Sequence, residues 1–201
     1  MIYLCRHGQT FHNREGRLQG RTESDLTPLG LMQAQAMGQL LRDLVRREPP
    51  APWRLVASPL RRARHTAEAI GEHLGLAVDF DERLVEIDVG EWSGRLREEV
   101  HGENPHLVGD DAWGFQAPGG ETYEAMMVRL TSWLSEQATE PERRLIVVSH
   151  GVAGRLLRGA YAGLAREETL RLDIPQDAVF RLAKGQIDRF DCEPIDELAE
   201  D

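Results

Sequence analysis

The chain has 201 residues, and its 24 Lys and Arg against 34 Asp and Glu give a formal charge of −10, which argues against a nucleic-acid backbone or an anionic membrane surface as its main partner. Its length suits one domain over residues 1–195 with a sizeable core, followed by an acidic solvated tail over 196–201. Cys5 and Cys192 lack the dense spacing of a disulfide scaffold, no basic leader precedes an apolar stretch, and no run approaches the ~18 residues of a membrane span, so the expectation is a soluble protein of the reducing cytoplasm.

Strand and helix patterns alternate along the chain, with no repeat and no low-complexity tract. Met1 to Cys5 reads as a short buried strand. A long helix starts at Pro28: Thr27 can cap it, proline suits the first helical position, and Leu29, Met32, Ala36, Leu40 and Leu44 form an apolar stripe before Pro49 and Pro50 stop it. Trp53 to Ala57 is the next strand. Ser58-Pro59 repeats the cap-then-proline pattern for a helix that Gly75 closes, which completes one βαβ unit. Ala77 to Phe80 reads as a short strand. Glu91 to Gly120, rich in Gly, Pro and charge and poor in periodicity, reads as a long excursion of the kind that is functional or without fixed structure. Gly120-Glu121 to Ala138 is helical, Arg144 to Val148 is a buried strand, and Val152 to Ala160 is a helix. Ala178–Ala183 and Gln186–Cys192 form a hairpin turning at Lys184-Gly185. This order predicts an α/β fold, a three-layer sandwich with a mostly parallel central sheet and helices on both faces.

The chemistry concentrates where strands end. Arg6-His7-Gly8 follows the first apolar run, Ser149-His150-Gly151 follows the run at Val147-Val148, and Ser58-Pro59-Leu60-Arg61-Arg62-Ala63 lies between. In an open α/β sheet the carboxyl ends of the strands form the ligand crevice, so two histidines and an arginine there suggest a pocket for an anion.

Those residues carry a family resemblance. Leu4-Cys5-Arg6-His7-Gly8-Gln9-Thr10 with Asn13, then Arg17-Leu18-Gln19-Gly20, resembles the signature of the histidine phosphatase superfamily, the phosphoglycerate mutase-like family. Ser58 to Ala63 with Thr66-Ala67, Leu84-Val85-Glu86, Gly90-Glu91-Trp92-Ser93-Gly94, Pro118 to Thr122 and Ser149-His150-Gly151 are similar to its later blocks, in the family's order. The resemblance implies phosphoryl transfer through a phosphohistidine on His7, with Glu86 as the acid and Asn13, Gln19 and Gly20 lining the phosphate or the substrate.

Elementary chemistry agrees with those residue types. Phosphoryl transfer needs charge stabilised on three equatorial oxygens. Arg6, Arg62 and His150 could supply that clamp, and the N–H groups where Gly151 opens a helix could add an anion site. No metal or other cofactor is then required. His7 must be uncharged to attack, which neighbouring Arg6 and Arg62 would favour, and the backbone at Gly8 could fix its tautomer. Asp88 and Glu91 would tend to hold a proton on Glu86 if they lie close. Phe11, Trp92, Trp113, Phe115 and Arg97 are candidates to face the leaving group.

Other readings compete with these. Arg62, directly before Ala63, matches the family better than Arg61, which is left to the surface. His12, His65, His73, His101 and His106 read as ordinary surface residues, without zinc spacing. Cofactor-dependent phosphoglycerate mutases share the catalytic set, but they carry a longer insertion, a Tyr three residues after the acid and an arginine pair for the substrate. Here Val89 stands at that place and Trp113-Gly114-Phe115 shows no such pair, so the chain resembles the short phosphatase branch. The expected function is hydrolysis of a small phosphorylated metabolite. A phosphate-binding module without catalysis is the rival of a different class. An exposed sheet edge or helix face could pair two copies into a homodimer.

Overall fold

Side-chain alternation along the strands sets the layers. The computed structural model describes residues 1–193, so the acidic tail expected over 196–201 lies outside the described residues. In order come β1 (Ile2–Arg6), α1 (Phe11–Arg14), α2 (Pro28–Arg47), β2 (Arg54–Ala57), α3 (Arg61–Leu74), β3 (Val78–Phe80), α4 (Arg97–Glu103), α5 (Tyr123–Ser135), β4 (Leu145–Ser149), α6 (Gly151–Ala162), α7 (Arg166–Leu170), β5 (Ala178–Ala183) and β6 (Gln186–Asp191). The sheet order is β3-β2-β4-β1-β5-β6, the first four strands parallel and β5 and β6 antiparallel. The fold is α/β with a mostly parallel central sheet.

Ile2, Leu4, Leu145, Val147 and Val56 point to one face, where Met126, Leu130 and Trp133 of α5 and Leu156 and Leu157 of α6 cover them. Tyr3, Cys5, Ile146, Val148, Leu55 and Ala57 point to the other, under Met37, Leu41 and Leu44 of α2 and Ala63, Ala67 and Ile70 of α3. β4 is buried on both faces, as a central parallel strand must be.

The buried stripe of α2 is Ala34, Met37, Leu41 and Leu44 with Gly30 and Gly38, about one residue out of phase with the expected Leu29, Met32, Ala36 and Leu40, which are only half buried. Two glycines decide the phase, because they let the helix come closer than any apolar side chain would. A methyl group on Gly30 would strike the backbone of Gln9, and one on Gly8 would strike the backbone of Gly30. This contact seats the loop after His7 on the start of α2, where Thr27 caps the helix through the N–H of Gly30 at 3.0 Å. Gly30→Ala is expected to destabilise the protein by about 2 kcal/mol despite alanine's better helix propensity, lowering Tm by roughly 4–8 °C. A Tm that stays level or rises on thermal unfolding would show that this contact yields.

Helix α3 departs from expectation at its start. Leu60, not Ser58, precedes α3 and gives no side-chain cap; Ser58 is drawn instead to His150. Gly75 closes α3 in the left-handed conformation as expected, and the hairpin turns at Lys184 and Gly185, both at positive φ.

The excursion at 91–120 is folded. It consists of single helical turns around α4, and it sinks Trp92, Val100, Leu107 and Ala117 one at a time into the core beside α5. It is also stitched to the segment after α1, by Leu18 N–H to Arg95 O at 2.9 Å and Arg97 N–H to Gly16 O at 3.0 Å.

Candidate active site

The carboxyl ends of β1, β2 and β4 deliver the first residues of the site. Parallel pairing places Arg6 beside Ser149, and the ladder continues past the strands with His7 N–H to Ser149 O and Ser58 N–H to Val148 O, both 3.0 Å. His7, Ser58 and His150 therefore emerge side by side. A cavity of about 250 Å³ opens above them, with Arg6, His7, Asn13, Gln19, Gly20, Arg62, Glu86 and Gly151 on its wall.

His7 is almost fully buried. Its Nδ1 lies 2.7 Å from the carbonyl of Gly8, so Nδ1 carries the hydrogen and Nε2 is the open ring nitrogen. Burial, then the charges of Arg62 and Arg6, hold its pKa well below the ordinary imidazole value, against the pull of the Gly8 carbonyl. His7 is neutral.

Arg62 enters on the first turn of α3, fully buried, with each of its three nitrogens donating one hydrogen bond: Nε to His150 Nδ1 at 3.2 Å, Nη1 to Thr22 O at 2.8 Å and Nη2 to Gly20 O at 2.7 Å. Arg6 gives Nη1 to Ile174 O at 2.6 Å and keeps a buried Nε without a partner. Burial lowers its pKa to about 10, with Glu86 opposing, so it remains a cation at neutral pH.

His150 differs from expectation. It is not on the cavity wall but behind it, its ring edge-on to His7 with centroids 5.1 Å apart. Both ring nitrogens are engaged, Nδ1 by Arg62 and Nε2 by Ser58 Oγ at 2.7 Å. Burial, with Arg62 next, pushes its pKa well below the ordinary value. In this seat His150 orients Arg62. Ser58, which the cap-like sequence pattern disguised, fixes the tautomer.

Glu86 occupies the start of α6. Its carboxylate accepts N–H bonds from Val152 at 3.1 Å, Ala153 at 3.0 Å and Ile87 at 3.0 Å. The anion site expected at Gly151 thus holds the chain's own carboxylate, as a helix N-terminus favours. Asp88 turns away to the N–H of Gly90 and towards Arg21. Arg129, which sequence reasoning passed over, pins the Glu86 loop through the carbonyls of Arg83, Val85 and Glu86 while paired with Glu121.

Asn13 caps its own helix with Thr10 and accepts a hydrogen bond from Gln176, whose amide also reaches His7 O, both at 3.1 Å. Thr66 bridges Gly8 N–H and Arg62 O. No local pattern marked Gln176, because its partners are more than 160 residues away. Of the leaving-group candidates, Arg97, Trp113 and Phe115 line the cavity, Trp92 is buried against Trp113, and Phe11 is exposed. Arg61 pairs with Asp25 at the surface. Among the described residues no helix is long and apolar enough to cross a membrane.

The family model of the histidine phosphatase superfamily (branch 1) matches residues 2–190. The chain belongs to the histidine phosphatase superfamily. Within it, the "Probable phosphoglycerate mutase GpmB" of Salmonella paratyphi C (strain RKS4594) is 31% identical, over 98% of each chain. The mycobacterial glucosyl-3-phosphoglycerate phosphatase, solved with VO3, is 29% identical with a TM-score of 0.75, covering 96% of this chain and 99% of that one. The alpha-ribazole phosphatase of Shigella flexneri, 24% identical with a TM-score of 0.75 over 95% of each chain, shares the fold.

Two buried neutral histidines make this superfamily member sensitive to acid. Unfolded, both imidazoles bind a proton as pH falls below 6.5; folded, they do not. Their contribution is complete above pH 6.5 and is lost as pH falls below it, by up to about 1.4 kcal/mol per pH unit for each. Tm is expected to fall between pH 6.5 and 5.5, and less steeply in His150→Gln. Equal slopes in the two proteins would refute the assignment.

Proposed function

We propose that this protein hydrolyses phosphomonoesters of small metabolites without a metal, through a phosphohistidine. The observation that carries the reading is His7, neutral, with Nδ1 tied to Gly8 and Nε2 open in a cavity that also holds Arg6, Arg62 and Glu86. Nε2 attacks phosphorus as the ester P–O bond breaks, and Glu86, once its carboxylate has taken up a proton from solvent, gives that proton to the leaving alkoxide. Glu86 then takes a proton from water, which attacks the phosphohistidine and frees His7 and inorganic phosphate. Arg6 and Arg62 carry the charge on the phosphoryl oxygens. His150 acts through Arg62, and Asn13, Gln19, Gly20 and Gly151 shape the site.

Phosphate release from p-nitrophenyl phosphate in excess chelator tests this, together with trapping of a base-stable, acid-labile phosphoenzyme by denaturation at alkaline pH. Release that survives chelation, with label on histidine, is the expected result. Loss of release on chelation would refute the metal-free step, and label elsewhere would refute His7. Mutase action is the second reading, supported by the name of the Salmonella relative. Val89 at the place of the mutase tyrosine argues against it, and turnover of 3-phosphoglycerate with a bisphosphate primer is expected to be small beside hydrolysis.

A further inference from the structure

The segment 172–177, between α7 and β5, crosses the carboxyl end of β1 as a strap. It is anchored at two points. Asp173 accepts hydrogen bonds from Arg158, buried on α6, and from Arg189 of β6, and the carbonyl of Asp177 accepts the N–H of Cys192 at 2.8 Å. Between these anchors the strap touches the site twice. The carbonyl of Ile174 accepts from Arg6 Nη1 at 2.6 Å, and the side-chain amide of Gln176 donates to the carbonyl of His7 and to Asn13 Oδ1, each at 3.1 Å.

These partners fix which way each amide is turned. A carbonyl only accepts, so the His7 oxygen requires the nitrogen of Gln176; that nitrogen only donates, so it requires the oxygen of Asn13. Thr10 N–H, 3.1 Å from the same oxygen, requires it too. Both lone pairs of Asn13 Oδ1 are then engaged. Among the described residues its Nδ2, with two hydrogens, has no hydrogen-bond partner, and it is open to solvent on a residue that lines the cavity. Asn13 itself rides on α1, a helix of four residues, too short to hold a side chain firmly by its own hydrogen bonds. The tie from the strap supplies what α1 lacks.

We infer that Gln176 is a positioning residue of the phosphoryl site, which rests on the phosphatase reading above: it ties Asn13 to the main chain of His7, with the amide turned so that Nδ2 donates to a phosphoryl oxygen. Gln176 does not touch the substrate. It acts through Asn13, as a supporting residue that locks the rotamer of one making the contact.

The test is a double-mutant cycle. Asn13→Ala and Gln176→Met, alone and together, are compared with wild type by calorimetric titration with inorganic phosphate and by kcat/KM for p-nitrophenyl phosphate, with Tm measured on the same samples. Asn13→Ala is expected to weaken phosphate binding by about 10- to 100-fold, the scale of a hydrogen bond to a charged group. Gln176→Met, close in shape but without the donor, is expected to weaken it by about tenfold, since a displaced contact loses much of its worth. In the Asn13→Ala background the same change is expected to cost less than about twofold, because the residue it acts through is gone. Gln176→Met that binds phosphate like wild type overturns the role, and so do losses that multiply across the cycle, which would place the action of Gln176 on the fold or on His7 rather than on Asn13. If Asn13→Ala does not fold, Asn13→Asp keeps both accepted bonds and lacks only the donor; phosphate binding that survives it removes Nδ2 from the site and overturns the role equally. A wild type that binds phosphate but releases none from the ester defeats the phosphatase reading alone, and the Kd values still decide the role of Gln176. A wild type that neither binds nor releases phosphate defeats both.

Discussion

His7→Ala is expected to lower phosphate release from p-nitrophenyl phosphate by roughly 10⁴-fold or more, the scale on which a covalent nucleophile is missed. The size follows from the lack of a substitute. His150 is the nearest imidazole, but its ring nitrogens are held by Arg62 and Ser58. The other wall residues offer guanidiniums, amides, apolar groups and the carboxylates of Glu86 and Asp111, and a carboxylate beside an anionic phosphoryl group is a poor replacement. Free imidazole supplied to the variant is expected to restore part of the rate, because the truncated side chain leaves space in an open cavity. That recovery separates a missing nucleophile from a misfolded chain. Release within tenfold of wild type in the unrescued variant would remove His7 from the mechanism.

The wall residues Arg6, His7, Asn13, Gln19, Gly20, Arg62, Glu86 and Gly151 were legible in the sequence, because strand ends followed by Gly or Pro leave local marks and because the ordered blocks resemble a family. The sheet and its main helices were legible for a similar reason: strand runs of four or five apolar residues and a capped helix at Thr27-Pro28 need no tertiary information. What was not legible depends on contacts across the chain. The face of α2 followed Gly30 and Gly38 rather than Leu29 and Leu40, since close approach to the Gln9 backbone and the His73 side chain outweighs one more exposed methyl group. The excursion buried Trp92, Val100 and Leu107 from separate turns, a pattern without a period. Ser58 looked like a helix cap and serves His150. Gln176 and Arg129 act through partners that only the folded chain brings together.

Arg62→Met tests how far the site and the fold depend on the same side chain. The arginine joins three chain segments, Gly20 and Thr22 of the loop after α1, its own helix α3 and His150 before α6. Removing it leaves three acceptors open, each worth about 1–3 kcal/mol if it stays dry. Two effects oppose that loss. Methionine spares the cost of burying a cation, and the cavity lets water reach part of the vacated space. The acceptors outweigh them because two lie on backbone that cannot turn away, so net destabilisation of about 2–4 kcal/mol is expected. Activity is expected to fall by about 10³-fold, since one preorganised donor to developing charge is worth roughly that. Arg62→Lys keeps the charge but not the planar fork; it is expected to stay more than about 10²-fold below wild type and to recover only part of the Tm. Thermal unfolding and phosphate release on the same samples decide the matter. A lysine variant with wild-type turnover would mean that charge alone holds the phosphoryl group, and a methionine variant with wild-type Tm would mean that Gly20, Thr22 and His150 are held in place by something other than Arg62.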